Sequence, residues 1–593
     1  MFKKPSIKNL RLRLAQSEAL PQLTLMALIT GFLAGGLLIA FEELLFFFGI
    51  FSQRSLIPES IFATLASVES GYEALPPLAR FLSPIGGAIA LILLIKSCPP
   101  QRRTFGIAHV IERLTLNRGW LPITSTITQF FAALIALISG FSVGREGPAV
   151  HLGAGAGSFL GQTLKLPTNT LGVLAGCGTA AAIAALFNTP MAGVIFAMEV
   201  VMKEYSLESF IPVMASAVVA SVLTQTVYGP NPAFQIPIIP SATPEELVIT
   251  AITAIIIGLL AAAFIQINLF AIQKRQQKVA LPLLIAGLLM GITAVLVPAT
   301  MGIGYDTIEV LLTGEGLNLQ FLIILLAAKL IITALVIGLG VPGGMIGPSL
   351  MLGATAGACS ALLAEQFLNI STTNITFHVI TGMIAMMAAI FQAPLTALIT
   401  VLELTHSSQI ILPAMVAIVI ACLTSSQIGK QQGIFAMQFL ARGQNTQLSP
   451  MARLLNRTGV ASLMDTRFIS SSRTTDLSAL HSLINDNETV QSSQWILVEE
   501  NDQTLGIIPA STVKTVITPL DNGLTDLTAH PDYQSAVIIP MGATVHEALQ
   551  KMEQLAIDHL LASNHQKLAD SLSVRGVISR SSIERYCQCQ NAC

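Results

Sequence analysis

The chain has 593 residues, 53% of them hydrophobic and only 11% charged. Soluble domains carry roughly 25% charged residues, so composition excludes an ordinary soluble protein and points to a membrane protein. A formal net charge of -2 offers nucleic-acid phosphates no basic surface, so no nucleic-acid partner is expected.

In chain order, residues 1–22 are basic, with Lys3, Lys4, Lys8, Arg11 and Arg13. They read as a cytoplasmic segment under the positive-inside rule. The apolar run at 23–50 is too long for a signal peptide, and no small-residue cleavage site closes it. Apolar segments then follow near 81–98, 124–141, 170–201, 210–228, 246–270, 280–298, 320–340, 348–368, 376–404 and 410–428. Several are shorter than the ~20 residues of a spanning helix. Many are interrupted by Gly or Pro, the mark of broken helices around a mid-membrane site.

The segments repeat. Gly147-Pro148-Ala149-Val150-His151-Leu152-Gly153 matches Gly347-Pro348-Ser349-Leu350-Met351-Leu352-Gly353, 200 residues later. Phe187-Asn188-Thr189-Pro190-Met191 with Glu199 matches Phe391-Gln392-Ala393-Pro394-Leu395 with Glu403, 204 residues later. Residues 23–441 are therefore expected to be two homologous halves, about 23–230 and 246–440. Sequence alone leaves open whether the halves are parallel or inverted.

Gly144-Arg145-Glu146-Gly147-Pro148 is the candidate site. Ionisable residues inside a spanning region are costly and point to function. Glycines let backbone N–H groups approach a ligand, and Pro148 suits a first helical turn. A helix N-terminus there attracts an anion, and Glu146 would sit where the anion sits. The competing reading of Glu146 is an ion pair with Arg145, but adjacent residues seldom pair well on a helix. His151 reads as hydrogen-bonded to backbone, and Glu199 and Glu403 as capping or interhelical residues. Glu42 and Glu43 would face an interface or water, and Lys329 could snorkel. His109 and Glu112 could line an inner mouth or end a solvated helix.

Residues 442–459 are polar and basic and read as a linker. Residues 460–593 are soluble α/β in pattern. A hairpin joins 495–498 to 505–508, flanked by helical patterns at 476–484 and 510–516. A second copy runs through strand 536–539, helix 545–555, strand 574–578 and helix 581–586. Of the seven cysteines, Cys98, Cys177, Cys359 and Cys422 lie in apolar segments as structural thiols. Cys587, Cys589 and Cys593 read as a reduced tail, and no metal is expected.

The membrane part resembles the CLC family of chloride channels and transporters. Phe105-Gly106-Ile107-Ala108, Gly144-Arg145-Glu146-Gly147-Pro148, Gly343-Gly344-Met345-Ile346-Gly347-Pro348 and the stretch around Phe435 carry the resemblance, over residues 25–440. The tail is similar to a pair of CBS modules. The resemblance implies an all-α multi-span membrane protein of two inverted halves with broken helices, followed by the soluble α/β pair. It implies a homodimer in the inner (plasma) membrane with one chloride pathway per subunit, and the basic N-terminus and soluble tail together imply that both termini are cytoplasmic. It also implies that Glu146 is the gating glutamate. The outer anion site would use backbone N–H groups of Arg145, Glu146, Gly147, Met345, Ile346 and Gly347, and the central site would add the side chains at Phe105 and Phe435.

Three positions depart from the family pattern. Phe105 and Phe435 stand where serine and tyrosine hydroxyls would donate to chloride, each worth a net ~1 kcal/mol. Val200 stands where proton-coupled members carry an inner glutamate. Phe105 and Phe435 imply a weaker central site and leave selectivity among chloride, bromide and nitrate open, while Val200 favours a passive, voltage- or pH-gated anion channel, with a proton-coupled chloride antiporter as the alternative. In the tail, Ser582 stands where an aspartate would hold a nucleotide ribose. A structural dimerisation role is therefore expected over adenine-nucleotide binding. No cofactor and no enzymatic activity are expected, since no nucleophile–base set or phosphate loop occurs.

Overall fold

The computed structural model describes residues 14, 20–54, 68–99, 103–230, 234, 236, 243–275, 279–314, 316–368, 374–430, 432–443, 450–476, 494–501, 503–512, 524–563 and 574–591. The basic residues expected at Lys3–Arg13 lie outside them, as do most of the helices expected at 476–484 and 510–516. The chain forms two compact units. One comprises Thr24–Gln162 and Gly172–Thr446, the other Met1–Leu23, Thr163–Leu171 and Gln447–Cys593.

The first half of the membrane unit contains α1 (Leu20–Arg54), α2 (Pro77–Ser97), α3 (Gly106–Leu116), α4 (Ile123–Ile138), α5 (Glu146–Thr163), α6 (Thr168–Phe187), α7 (Pro190–Phe196) and α8 (Leu207–Tyr228). The second half contains α9 (Pro244–Arg275), α10 (Ala280–Leu296), α11 (Tyr305–Thr313), α12 (Leu319–Leu339), α13 (Ile346–Leu368), α14 (Ile375–Phe391), α15 (Pro394–Thr405), α16 (Ile411–Leu423) and α17 (Ile434–Ala441). Eight described stretches are long and apolar enough to cross a membrane. Other apolar helices described are shorter, 10–17 residues, as broken helices are.

Two expected segments are each two helices. The run at 170–201 breaks between α6 and α7 at Asn188, whose φ of 55° is left-handed. The run at 376–404 breaks between α14 and α15 at Gln392, with φ 54°. A proline follows each by two residues, and each opens the next helix at a position that needs no N–H partner. Each break is only two residues wide, so a long hydropathy window averages over the polar Asn188, Thr189 and Gln392.

The halves are related by inversion, and their seams reuse the same residues. A Cβ on Gly153 or Gly157 of α5 would strike backbone of α6, and one on Gly353 or Gly357 would strike backbone of α14. Small residues four apart thus let two helix pairs pack backbone to backbone. The halves also cap each other. Glu199 accepts N–H groups of Leu395 (3.1 Å) and Thr396 (2.7 Å) at the start of α15. Glu403 accepts those of Met191 (2.9 Å) and Ala192 (2.7 Å) at the start of α7. Each carboxylate meets orphan donors and the positive end of the helix, as the capping reading expected.

Lys329 does not snorkel. It is 1% exposed, and its Nζ donates to the carbonyls of Thr300 (3.0 Å) and Gly302 (2.9 Å).

In the other unit, α18 (Pro450–Arg457) precedes β1 (Phe468–Ser472), β2 (Thr474–Asp476), β3 (Trp495–Glu500), β4 (Gln503–Pro509), β5 (Leu524–Asp526), β6 (Gln534–Ser535) and β7 (Ile538–Pro540). Then come α19 (Val545–Leu555), β8 (His559–Ser563), β9 (Val574–Ser579) and α20 (Arg580–Asn591). One sheet has the order β1-β3-β4-β6 and another β7-β8-β9. In each, a parallel pair (β1 with β3, β7 with β8) is followed by an antiparallel hairpin (β3–β4, β8–β9). This is the duplicated α/β pattern expected of the tail. Strands β1, β2, β5, β6 and β8 were not anticipated. β8 is only five residues long, and four of them are buried, so it shows no period-2 signal.

Candidate functional site

The site is built where the two halves touch. Gly144 and Gly344 form an antiparallel bridge, with Gly144 N–H donating to Gly344 O (2.8 Å) and Gly344 N–H to Gly144 O (2.6 Å). Just past this bridge α5 starts at Glu146 and α13 at Ile346. Pro148 and Pro348 occupy the same place in the two first turns, and the helix-start N–H groups belong to residues 145–147 and 345–347. Two helix N-termini therefore open side by side.

Glu146 is fully buried. The Tyr305 hydroxyl donates to its Oε1 at 2.7 Å, while Oε2 has no hydrogen-bond partner. Its carboxylate lies in a cradle of glycines. A Cβ on Gly347 would lie 2.6 Å from Oε1, one on Gly344 2.7 Å from Oε2, and one on Gly144 would collide with Oε2. Glycine is required at these positions because the carboxylate fills the space a side chain would take. A carboxylate at two helix N-termini stands where a free anion would be stabilised.

Arg145 does not pair with Glu146. Its Nη1 is 2.9 Å from Glu42 Oε1, and its guanidinium lies 5.4 Å from the centre of the Tyr305 ring. Glu42, expected to face an interface or water, stays partly exposed while pairing with Arg145, and the exposed Glu43 accepts from the Tyr228 hydroxyl at 2.9 Å. Tyr305 holds the site together and was missed in the sequence. The available signal was a tyrosine opening a short helix straight after Gly302-Ile303-Gly304, where Gly304 is left-handed with φ 96°.

A cavity of about 670 Å³ adjoins the bridge and collects the remaining candidates. Phe105, Gly147, Met345 and Phe435 all line it. Glu146, Arg145, Ile346 and Gly347 are absent from that lining, so the cavity stops at the bridge. Phe105 precedes α3 in extended conformation, and Phe435 is the second residue of α17, stacked on Phe391 with centroids 5.6 Å apart. The Gly106 N–H at the start of α3 is already used, donating to Gln129 Oε1 at 2.9 Å. Arg103, Arg275, Arg442 and Glu112 lie in the same walls. Charge thus gathers along this cavity, and Glu112 is part of its lining.

Val200 is 4% exposed in the π-helical turn Ala197–Met202 and belongs to the hydrophobic core. His151 does not bond backbone as expected, since neither ring nitrogen has a partner. Ser582 is engaged within its own helix start. Its hydroxyl donates to Ser579 O (2.8 Å) and accepts the Ser579 N–H (3.2 Å), while the Ser582 N–H donates to Ser579 Oγ (3.2 Å). This is a reciprocal cap.

Comparison with known proteins agrees with this architecture. Residues 86–426 match the family model described as voltage gated chloride channel. A putative chloride channel protein ClcB-like from Ralstonia nicotianae is 28% identical over 363 residues, 60% of this chain and 84% of that protein. The H(+)/Cl(-) exchange transporter ClcA of Vibrio campbellii is 28% identical over 362 residues, 58% of this chain and 76% of that protein. Among solved structures, a slow cyanobacterial Cl-/H+ antiporter matches with a TM-score of 0.62 and 20% identity, covering 72% of this chain and 99% of that one. With more than half of the sequence matched by the family model and the broken-helix halves in place, this multi-pass membrane protein belongs to the voltage-gated chloride channel (CLC) family.

Proposed function

We propose that this protein is a secondary active transporter that exchanges chloride for protons, both ions passing the position of Glu146. The observation that carries the reading is the buried Glu146 carboxylate, cradled by Gly144, Gly344 and Gly347 and held by Tyr305. Chloride and the carboxylate compete for the same helix dipoles. Protonation removes the carboxylate's claim on them and frees the site. One side chain can thus link occupancy by chloride to occupancy by a proton. A relative over 76% of its length bears the name of an exchanger, which also favours exchange over the passive channel placed first above.

The outer anion site uses backbone N–H groups of residues 145–147 and 345–347. These are many weak dipoles rather than one strong charge, so the ion binds and still leaves. Towards the cavity, the edges of Phe105 and Phe435 replace hydroxyl donors, making the central site weak. The protein works as a homodimer in the inner membrane with both termini cytoplasmic, and the tail serves in assembly rather than nucleotide binding.

A passive channel is the second reading, and Val200 is what favours it, being aliphatic and buried where a proton carrier is implied. Purified protein in liposomes separates the two. A chloride gradient should drive protons against their gradient. Chloride efflux without proton movement would establish the channel instead.

A further inference from the structure

Exchange needs a proton route between Glu146 and the inner cavity, and the aliphatic Val200 cannot supply it. We propose that His109 and His151 form a two-imidazole proton relay on that side of Glu146, an inference that rests on the exchange reading above.

His151 lies on α5, five residues after Glu146 and so ~7.5 Å along the helix axis and ~140° round it, a gap that water must bridge. It is fully buried, and both of its ring nitrogens lack hydrogen-bond partners. His109 lies on α3, 2% exposed, with its ring centroid 5.3 Å from that of His151 and the planes tilted by 31°. Its Nδ1 shares a 2.8 Å hydrogen bond with the Thr104 hydroxyl and lies 3.7 Å from Glu112 Oε2, while its Nε2 is unpartnered. Thr104 and Glu112 both line the cavity. The side chains therefore run from cavity wall to His109 to His151. The charged groups about the pair are Glu112 and Arg113, both on α3.

Three unpartnered ring nitrogens in one buried contact need an explanation, because a buried polar atom without a partner costs ~1–3 kcal/mol. Apolar side chains would fill the same space without that cost. Histidine is the side chain suited to passing protons near neutral pH. A neutral imidazole has one N–H donor and one bare acceptor nitrogen. In the relay, His109 takes a proton at one nitrogen from Glu112 or cavity water and releases the proton on its other nitrogen to His151. His151 does the same, and one or more waters carry the proton to the Glu146 carboxylate. Each ring ends neutral with its N–H on the opposite nitrogen, and the tautomer is reset as the ring turns. No oxidant or other co-reactant is needed.

The test is chloride and proton flux measured together in liposomes for wild type, His109→Gln and His151→Gln. Glutamine keeps a polar side chain but cannot be protonated. Proton flux should fall about tenfold or more in each variant, while chloride flux stays within about twofold, so the ion ratio changes. A merely structural pair would lose both fluxes together. Undiminished proton flux in both variants and in the double variant overturns the relay and leaves exchange standing. A wild type that moves no protons overturns both. Should His151→Gln lose chloride flux as well, His109→Gln at the cavity edge decides by the same split.

Discussion

The two loops that meet at the Gly144–Gly344 bridge have one backbone design and two chemistries. Both offer glycines, a proline in the first turn and a helix N-terminus. Only the first carries a carboxylate, Glu146, and its counterpart in the second half is Ile346. Duplicated backbone thus provides an anion site of quasi-symmetric dipoles, and one unduplicated side chain makes it respond to protons. Elsewhere the symmetry is kept where it is structural, as with Glu199 and Glu403.

The strongest way to break the asymmetry is Glu146→Gln. Proton flux should fall to background in the liposome assay while chloride flux persists, since glutamine keeps the shape and cannot titrate. Making the loops alike by Ile346→Glu should act almost as strongly. A second carboxylate at the same dipoles would compete with chloride, and flux at neutral pH should drop about tenfold, a ~1.4 kcal/mol effect.

The structural symmetry can be tested by Glu199→Gln and Glu403→Gln. Each weakens charge-assisted bonds worth ~1.5–3 kcal/mol, and the two should lower the melting temperature in detergent by similar amounts. A large difference between them would show that the caps are not equivalent. Tyr305→Phe is milder. It removes one hydroxyl from the carboxylate, ~1 kcal/mol, and should raise chloride flux by up to about fivefold by loosening Glu146.

The smallest effect is expected outside both halves, in the tail. His559 Nδ1 shares a 2.8 Å hydrogen bond with Gln534 Oε1, and its ring packs edge-on to Trp495 with centroids 4.6 Å apart. Burial holds its pKa below the ordinary value, with Asp558 pulling the other way. The folded state prefers the neutral ring, so this contribution to stability is present above pH ~6.5. It is lost as pH falls through the lower folded value. Trp495 fluorescence in the full chain should report loosening of the tail as pH falls from 7.5 to about 5, and His559→Gln should flatten that dependence without changing ion flux.

Much of this was legible in the chain because it rests on local or repeated features. Apolar composition required a membrane fold, the 200-residue match exposed the two halves, and glycine with proline beside Glu146 marked the helix start. Segment bounds drawn from hydropathy ran through the breaks at Asn188 and Gln392, although Pro190 and Pro394 stand two residues after them. Sequence pattern also missed strand β8, whose short buried run carries no alternation.

By itself, then, the sequence determined the membrane class, the duplication, the position of the carboxylate and the absence of hydroxyls at Phe105 and Phe435. Only the tertiary structure decided what touches Glu146, with Tyr305 arriving from the second half and Arg145 turning away to Glu42. It alone brought His109 against His151, from helices whose spacing in the chain says nothing of their contact. The physical reason is that periodicity and turn chemistry act between residues near in sequence. The partners of a buried charge are chosen by packing between segments far apart, where inversion of the second half sets which side chains meet.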